Sequence, residues 1–216
     1  MIAGITLKVC GLTTLADAEL AQQCGADYLG FILHPKSPRC LTLAQFRAMV
    51  PHLPTGRKVA VLVSPSVADL AIAAAAGFDF FQVNFPADTA SAVVGSWAES
   101  VGADRLWLAP KLPPAEEVNA AWLPFTHRVL LDTFQTEGYG GSGQTGDWSK
   151  FARHQLRHPE KSWILAGGLS PENIASAVTQ TGARFVDVNS GVESAPGIKD
   201  RSKLRRFVAN LSAHRK

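Results

Sequence analysis

The sequence predicts a (β/α)8 barrel, an α/β fold occupying residues 1–216 as a single domain. Three observations predict it. Eight short apolar or β-branched runs alternate with Ala-rich helical stretches, and strands alternating with helices imply a parallel sheet. The segments CGADYLGF, AGFDFFQV and TGARFVDV each run from a helix end through a glycine into a fresh strand, a weak internal repeat of βα units. No GxGxxG follows the first strand, which argues against an open doubly wound sheet, and 216 residues lie near the lower limit for eight units closing into a barrel.

The expected strands are residues 5–9, 28–33, 58–63, 78–83, 105–109, 128–132, 162–166 and 185–189, each followed by a helix or helix start. Thr14 with Asp17, Thr42 with Gln45 and Ser66 with Asp69 have the three-residue spacing of a capping box. Ser170 before Pro171 fits a cap with proline at the first helical position. Gly25, Gly77 and Gly182 close Ala-rich runs where a helix end favours a left-handed residue.

Composition excludes several classes. Hydrophobic residues make up 46% and charged residues 18%, a globular profile with material for one sizeable core. No apolar run reaches the length of a membrane span, and the N-terminus lacks a signal-peptide pattern, so no membrane contact and a cytoplasmic location are expected. Three cysteines, Cys10, Cys24 and Cys40, form no metal-like pair and fit a reducing compartment. The net charge of +3 comes largely from the tail at 199–216, which reads as a solvated helix face. No basic–aromatic interleaving suggests nucleic acid.

In such a barrel the chemistry lies at the C-terminal ends of the strands. Strand alternation puts Lys8 and Cys10 on one face and Val9 on the other. If Val9 packs under the helices, Cys10 stands at the rim. It is then a base or nucleophile whose pKa Lys8 helps to lower, or a small buried apolar residue. Asp132 ends the sixth strand as a catalytic acid or a helix cap, and acid chemistry near neutrality requires burial to raise its pKa. Glycine-bearing loops follow strands six, seven and eight. They contain Gly141 and Gly143, then Gly167 and Gly168, then Ser190 and Gly191. The last two loops occupy the usual anion site of this fold, where amides and a helix dipole hold phosphate; the alternative is tight turns alone. Closure brings strand eight beside strand one, so Asp187 is the expected partner of Lys8. Arg39, after a Pro-rich loop, either clasps a carboxylate or lies on the surface.

The segments KVCGLT, ADYLGFILHPKSPR, LLDT, GGSGQTGDW, LAGGLSPENI and VDVNSGVESAPGIKD resemble, in order, the phosphoribosylanthranilate isomerases of tryptophan biosynthesis. The resemblance implies an Amadori rearrangement of N-(5′-phosphoribosyl)anthranilate with no metal and no organic cofactor. It implies Asp132 as the general acid that opens the ribose ring and Cys10 as the general base that takes the C2′ proton. Arg39 would bind the anthranilate carboxylate, the glycine-loop amides the phosphate, and Gln82, Lys8 and Asp187 would support the site. A monomer with only a small-molecule phosphoribosyl partner is expected.

The chain departs from the family's pattern after strand four. Asn84 and Phe85 stand where a histidine and a glycine are usual, which predicts an altered loop path or substrate fit. Gly146 and Asn189 also differ from the usual phenylalanine and serine. The rival readings are a related histidine-pathway isomerase, which pairs two aspartates, and a phosphometabolite-binding barrel without turnover.

Overall fold

The computed structural model describes residues 1–132 and 147–213. Eight strands form a closed parallel barrel in chain order. They are β1 (Thr6–Val9), β2 (Tyr28–Ile32), β3 (Arg57–Val63), β4 (Phe80–Pro86), β5 (Leu106–Lys111), β6 (Arg128–Leu131), β7 (Ser162–Leu165) and β8 (Phe185–Val188). The helices are α1 (Leu15–Gln23), α2 (Leu43–Met49), α3 (Val67–Ala75), α4 (Ser91–Val101), α5 (Trp148–Arg157), α6 (Ile174–Thr181) and α7 (Arg201–Ala213). A short hairpin, β9 (Glu193–Ala195) with β10 (Ile198–Lys199), intervenes between β8 and α7. No helix among the described residues is long and apolar enough to cross a membrane.

Two cores hold the barrel. One lies between strands and helices, and alternation feeds it: Leu7, Val9, Leu29, Phe31, Phe81, Val83 and Phe85 all point outward and are buried. The other fills the barrel's lower end. Tyr28 stacks on Phe185 with ring centres 5.3 Å apart and meets Trp107 edge-on at 4.9 Å. Arg57 donates to the Tyr28 hydroxyl at 2.8 Å, and Arg128 lies over the Phe80 ring. These aromatic and arginine residues come from the first or second positions of their strands, so they seal the N-terminal end. Only the opposite mouth is left for a ligand.

The closing pair β1 and β8 sets the register beneath that mouth. Thr6 lies opposite Phe185 and Lys8 opposite Asp187. Gly30 on β2 makes room beside it. A Cβ there would stand 2.9 Å from Lys8 Cε and 3.0 Å from Cys10 Sγ.

The local signals mostly hold. Thr42–Gln45 and Ser66–Asp69 form complete capping boxes. Thr14 accepts from the Asp17 amide, but the Asp17 carboxylate accepts from Lys199 N instead of returning the bond to Thr14. Ser170 caps a turn, not the helix. Its Oγ accepts from Glu172 N, while Asn173 reaches back to bond Ser170 N and Gly168 O, so α6 begins only at Ile174. Between β5 and β6 stands a 3-10 helix, Ala120–Phe125, with Pro124 inside it, where an α-helix was expected. Lys199 is not part of a solvated tail: its side chain is fully buried, whereas Arg201, Arg205 and Arg206 on α7 are exposed.

The β4 departure has a simple outcome. The strand runs on to Pro86, and Phe85 is fully buried outside the barrel, 5.4 Å from the Trp97 ring and 5.1 Å from Trp122. Its bulk packs α4 against the sheet and does not enter the mouth. Burying such a ring contributes about 1.5–3 kcal/mol.

Candidate active site

At the C-terminal mouth lies a cavity of about 730 Å3, open to solvent. Cys10, Gln82, Asp132, Gly167, Gly168, Asp187 and Ser190 all line it. Strands from opposite sides of the barrel therefore bring the predicted thiol and carboxyl to one space. Ile32, Val61, Val63 and Leu130 supply an apolar wall.

Beneath Cys10 the barrel holds a buried charge. Lys8 has no exposed surface and donates to Asp187 Oδ2 at 2.8 Å and Gln82 Oε1 at 2.9 Å. Burial alone would lower its pKa, but Asp187 and Cys10 outweigh burial and hold it above its ordinary value. Lys8 stays an ammonium, as the cost of an unpaired buried charge requires. The Asp187 Oδ1 atom is buried and bonds no described residue.

The expectation that Lys8 would bring the Cys10 thiol below its ordinary value is not met. Burial pushes the thiol up, and the Lys8 charge recovers only part of the shift. Asp132 is exposed at the cavity's edge.

The loops after β7 and β8 form the opposite wall. Gly167 and Gly168 adopt φ of +88° and +61°, conformations that side chains disfavour. Asn173 pins the loop through Gly168 O. The amides of Gly167, Gly168 and Leu169 donate to no partner among the described residues, and all three residues line the cavity. Gly191 lies behind the cavity surface. A Cβ there would fall 2.0 Å from the Leu169 carbonyl oxygen, so the two loops touch backbone to backbone. Gly191→Ala is expected to destabilise the protein by about 1–3 kcal/mol or more and to raise the substrate KM, because the loops must part. Thermal melting together with steady-state kinetics checks this; unchanged values of both would show that the loops are not in contact.

Arg39 does not line the cavity. It lies beside Gly11 and is held by Glu193, with Nε 3.0 Å from both carboxylate oxygens and Nη2 2.7 Å from Oε2. Burial would raise Glu193, but bonds from Arg39 and Lys199 bring its pKa below the ordinary value. Gly141 and Gly143 lie outside the described residues.

Several further residues line the cavity. Ser37 and Asn84 reach the cavity, as do His34 and Asn189. Asn84 donates to Leu62 O at 3.2 Å. Its position two residues beyond Gln82 on the same strand face was the signal available. Glu193 gave no such signal, because its partner Arg39 lies 154 residues away on the segment after β2.

Comparison with known proteins agrees with this geometry. Residues 7–210 match the family of N-(5′-phosphoribosyl)anthranilate (PRA) isomerase. The N-(5′-phosphoribosyl)anthranilate isomerase of Magnetococcus marinus is 37% identical over 95% of this chain and 94% of its own length. The crystal structure of phosphoribosyl anthranilate isomerase from Thermus thermophilus superimposes with a TM-score of 0.80 at 29% identity, covering 97% of this chain and 99% of the other. A phosphoribosyl anthranilate isomerase in complex with reduced 1-(o-carboxyphenylamino)-1-deoxyribulose 5-phosphate superimposes with a TM-score of 0.76 at 28% identity, covering 96% and 98%. The chain belongs to the N-(5′-phosphoribosyl)anthranilate isomerase family.

Proposed function

We propose that this chain isomerises N-(5′-phosphoribosyl)anthranilate to the 1-deoxyribulose phosphate by the Amadori rearrangement, with Asp132 as acid and Cys10 as base. The single observation that carries the division of labour is the shared cavity, with a thiol on one side and a carboxyl on the other. Asp132 gives a proton to the ribose ring oxygen, and the C1′–O bond breaks to leave a protonated Schiff base. The Cys10 thiolate then takes the C2′ proton, and the electron pair moves to form the enolamine. Loss of the enol proton and protonation at C1′ yield the ketone.

The phosphate sits on the amides of Gly168, Ser190 and Gly191, with Gly167 shaping the turn and the loop bearing Gly141 and Gly143 completing the cradle. Arg39 takes the aryl carboxylate. Gln82, Lys8 and Asp187 fix the charge beneath Cys10. Bound substrate covers Asp132 and supplies the desolvation that makes it an acid. The protein acts as a one-domain monomer in the cytoplasm, where its free thiols remain reduced. Sedimentation at micromolar concentration checks the monomer.

The direct test follows the fluorescence loss of phosphoribosylanthranilate generated in situ. Turnover by the wild-type chain supports the reading, and binding without turnover overturns it. A pH profile tests the protonation states. The productive enzyme carries one proton on the pair, on Asp132 and not on Cys10. Turnover per free enzyme, kcat/KM, follows the singly protonated pair. It falls at alkaline pH when that last proton leaves. Because burial raises the thiol, the alkaline limb is expected above the ordinary thiol value of about 8.5. A limb centred below about 8 would contradict the buried-thiol account.

A further inference from the structure

Two cations and one carboxylate are packed together beside the Cys10 end of the cavity. Lys199, on β10, has a side chain with no exposure. Its ammonium donates to Glu193 Oε1 at 2.8 Å, Asn189 Oδ1 at 3.0 Å and Asn189 O at 3.3 Å, which uses all three protons. Glu193 in turn accepts from Arg39 and from Gly197 N. Arg39 and Lys199 are two cationic side chains against the single Glu193 carboxylate, and burial holds Lys199 below its ordinary pKa despite Glu193 and Cys10 beside it. A mostly enclosed excess of cationic groups calls for an anion.

The cluster also fixes the polarity of Asn189. An ammonium only donates, so the Asn189 atom facing Lys199 must be the carbonyl oxygen. The amide NH2 is then turned away from Lys199. Asn189 lines the cavity, and no described residue accepts from that NH2. The place is defined by Gly11, the residue after Cys10. A Cβ on Gly11 would lie 2.5 Å from Asn189 Oδ1 and 2.7 Å from Arg39 Cδ. Asn189 and Arg39 therefore flank one spot at the rim.

We propose that Asn189 binds the substrate's aryl carboxylate together with Arg39, and that Lys199 is the positioning residue that presents the Asn189 NH2 to it. This rests on the substrate reading given above. The carboxylate supplies the anion that the cluster lacks, and Lys199 acts through the orientation of one carboxamide.

The test measures calorimetric Kd values on the full chain. The probes are reduced 1-(o-carboxyphenylamino)-1-deoxyribulose 5-phosphate and its phenylamino counterpart without the carboxylate. Asn189→Ala is expected to weaken the carboxylated probe about tenfold or more, the scale of a hydrogen bond to a charged group. The probe without a carboxylate should change less than about twofold. Lys199→Met should weaken the carboxylated probe too, and the double variant should bind no worse than Asn189→Ala alone, since the two act through one contact. Equal losses for both probes would place Asn189 at the ribose or phosphate and overturn the proposal. Additive losses would overturn the role of Lys199. If Lys199→Met does not fold, the two probes with Asn189→Ala still decide the carboxylate contact. A wild-type chain that turns over substrate while Asn189→Ala is indifferent sinks this proposal alone, whereas a wild type without turnover sinks the isomerase reading.

Discussion

Replacing Cys10 by alanine is expected to lower kcat at least about a hundredfold with KM changed less than about threefold, the signature of a lost proton-transfer group. The thiol is buried at the rim of the cavity and small, so its loss removes little binding surface. The two buried charged groups beneath it are not free to replace it. Lys8, below it, remains an ammonium, and Asp187 is tied to Lys8. Cys10→Ser keeps the volume and still fails as a base, because a hydroxyl is far harder to ionise than a thiol. Steady-state kinetics on both variants, with melting curves to confirm folding, settle the point. Wild-type kcat in Cys10→Ala would remove the thiol from the chemistry.

Asp132→Asn is expected to cost a similar factor by a different route. The amide fills the same space but has no acidic proton, so ring opening becomes slow. A substrate deuterated at C2′ separates the two losses. In Asp132→Asn the rate falls at ring opening, and the isotope effect at C2′ should vanish. In Cys10→Ser the rate falls at proton abstraction, and the full isotope effect should appear. The same isotope effect in both variants would mean that acid and base are assigned to the wrong steps.

The pattern of legibility follows from the range of the interactions. Strand alternation is local, so the inward set Lys8, Asp132 and Asp187 could be read from spacing once the barrel was inferred, whereas Gln82 entered with the family resemblance. Closure of the barrel is a global rule but a simple one, and it alone predicted the contact between Lys8 and Asp187 across 179 positions of sequence. The phosphate-loop glycines were visible as a composition signal, but the contact of Gly191 with the Leu169 carbonyl depends on how two loops meet. The charges were harder. Lys8 beside Cys10 suggested a depressed thiol, yet burial outweighs that charge, and burial is a property of the whole packing. Arg39 looked like a free clasp because Glu193 is 154 residues away on a loop beyond β8. Phe85 was expected to alter the loop path or the substrate fit, and alternation sends it away from the mouth, against Trp97 and Trp122.

A crystal structure with the reduced product analogue bound tests the central arrangement most directly. The account predicts the Cys10 sulfur about 3–4 Å from C2′, near-attack distance, with the Asp132 carboxyl at the sugar oxygen released from C1′ and the phosphate on the Gly168, Ser190 and Gly191 amides. An analogue lying with C2′ closer to Asp132 than to Cys10, or with its phosphate on the Arg39 side, would contradict it.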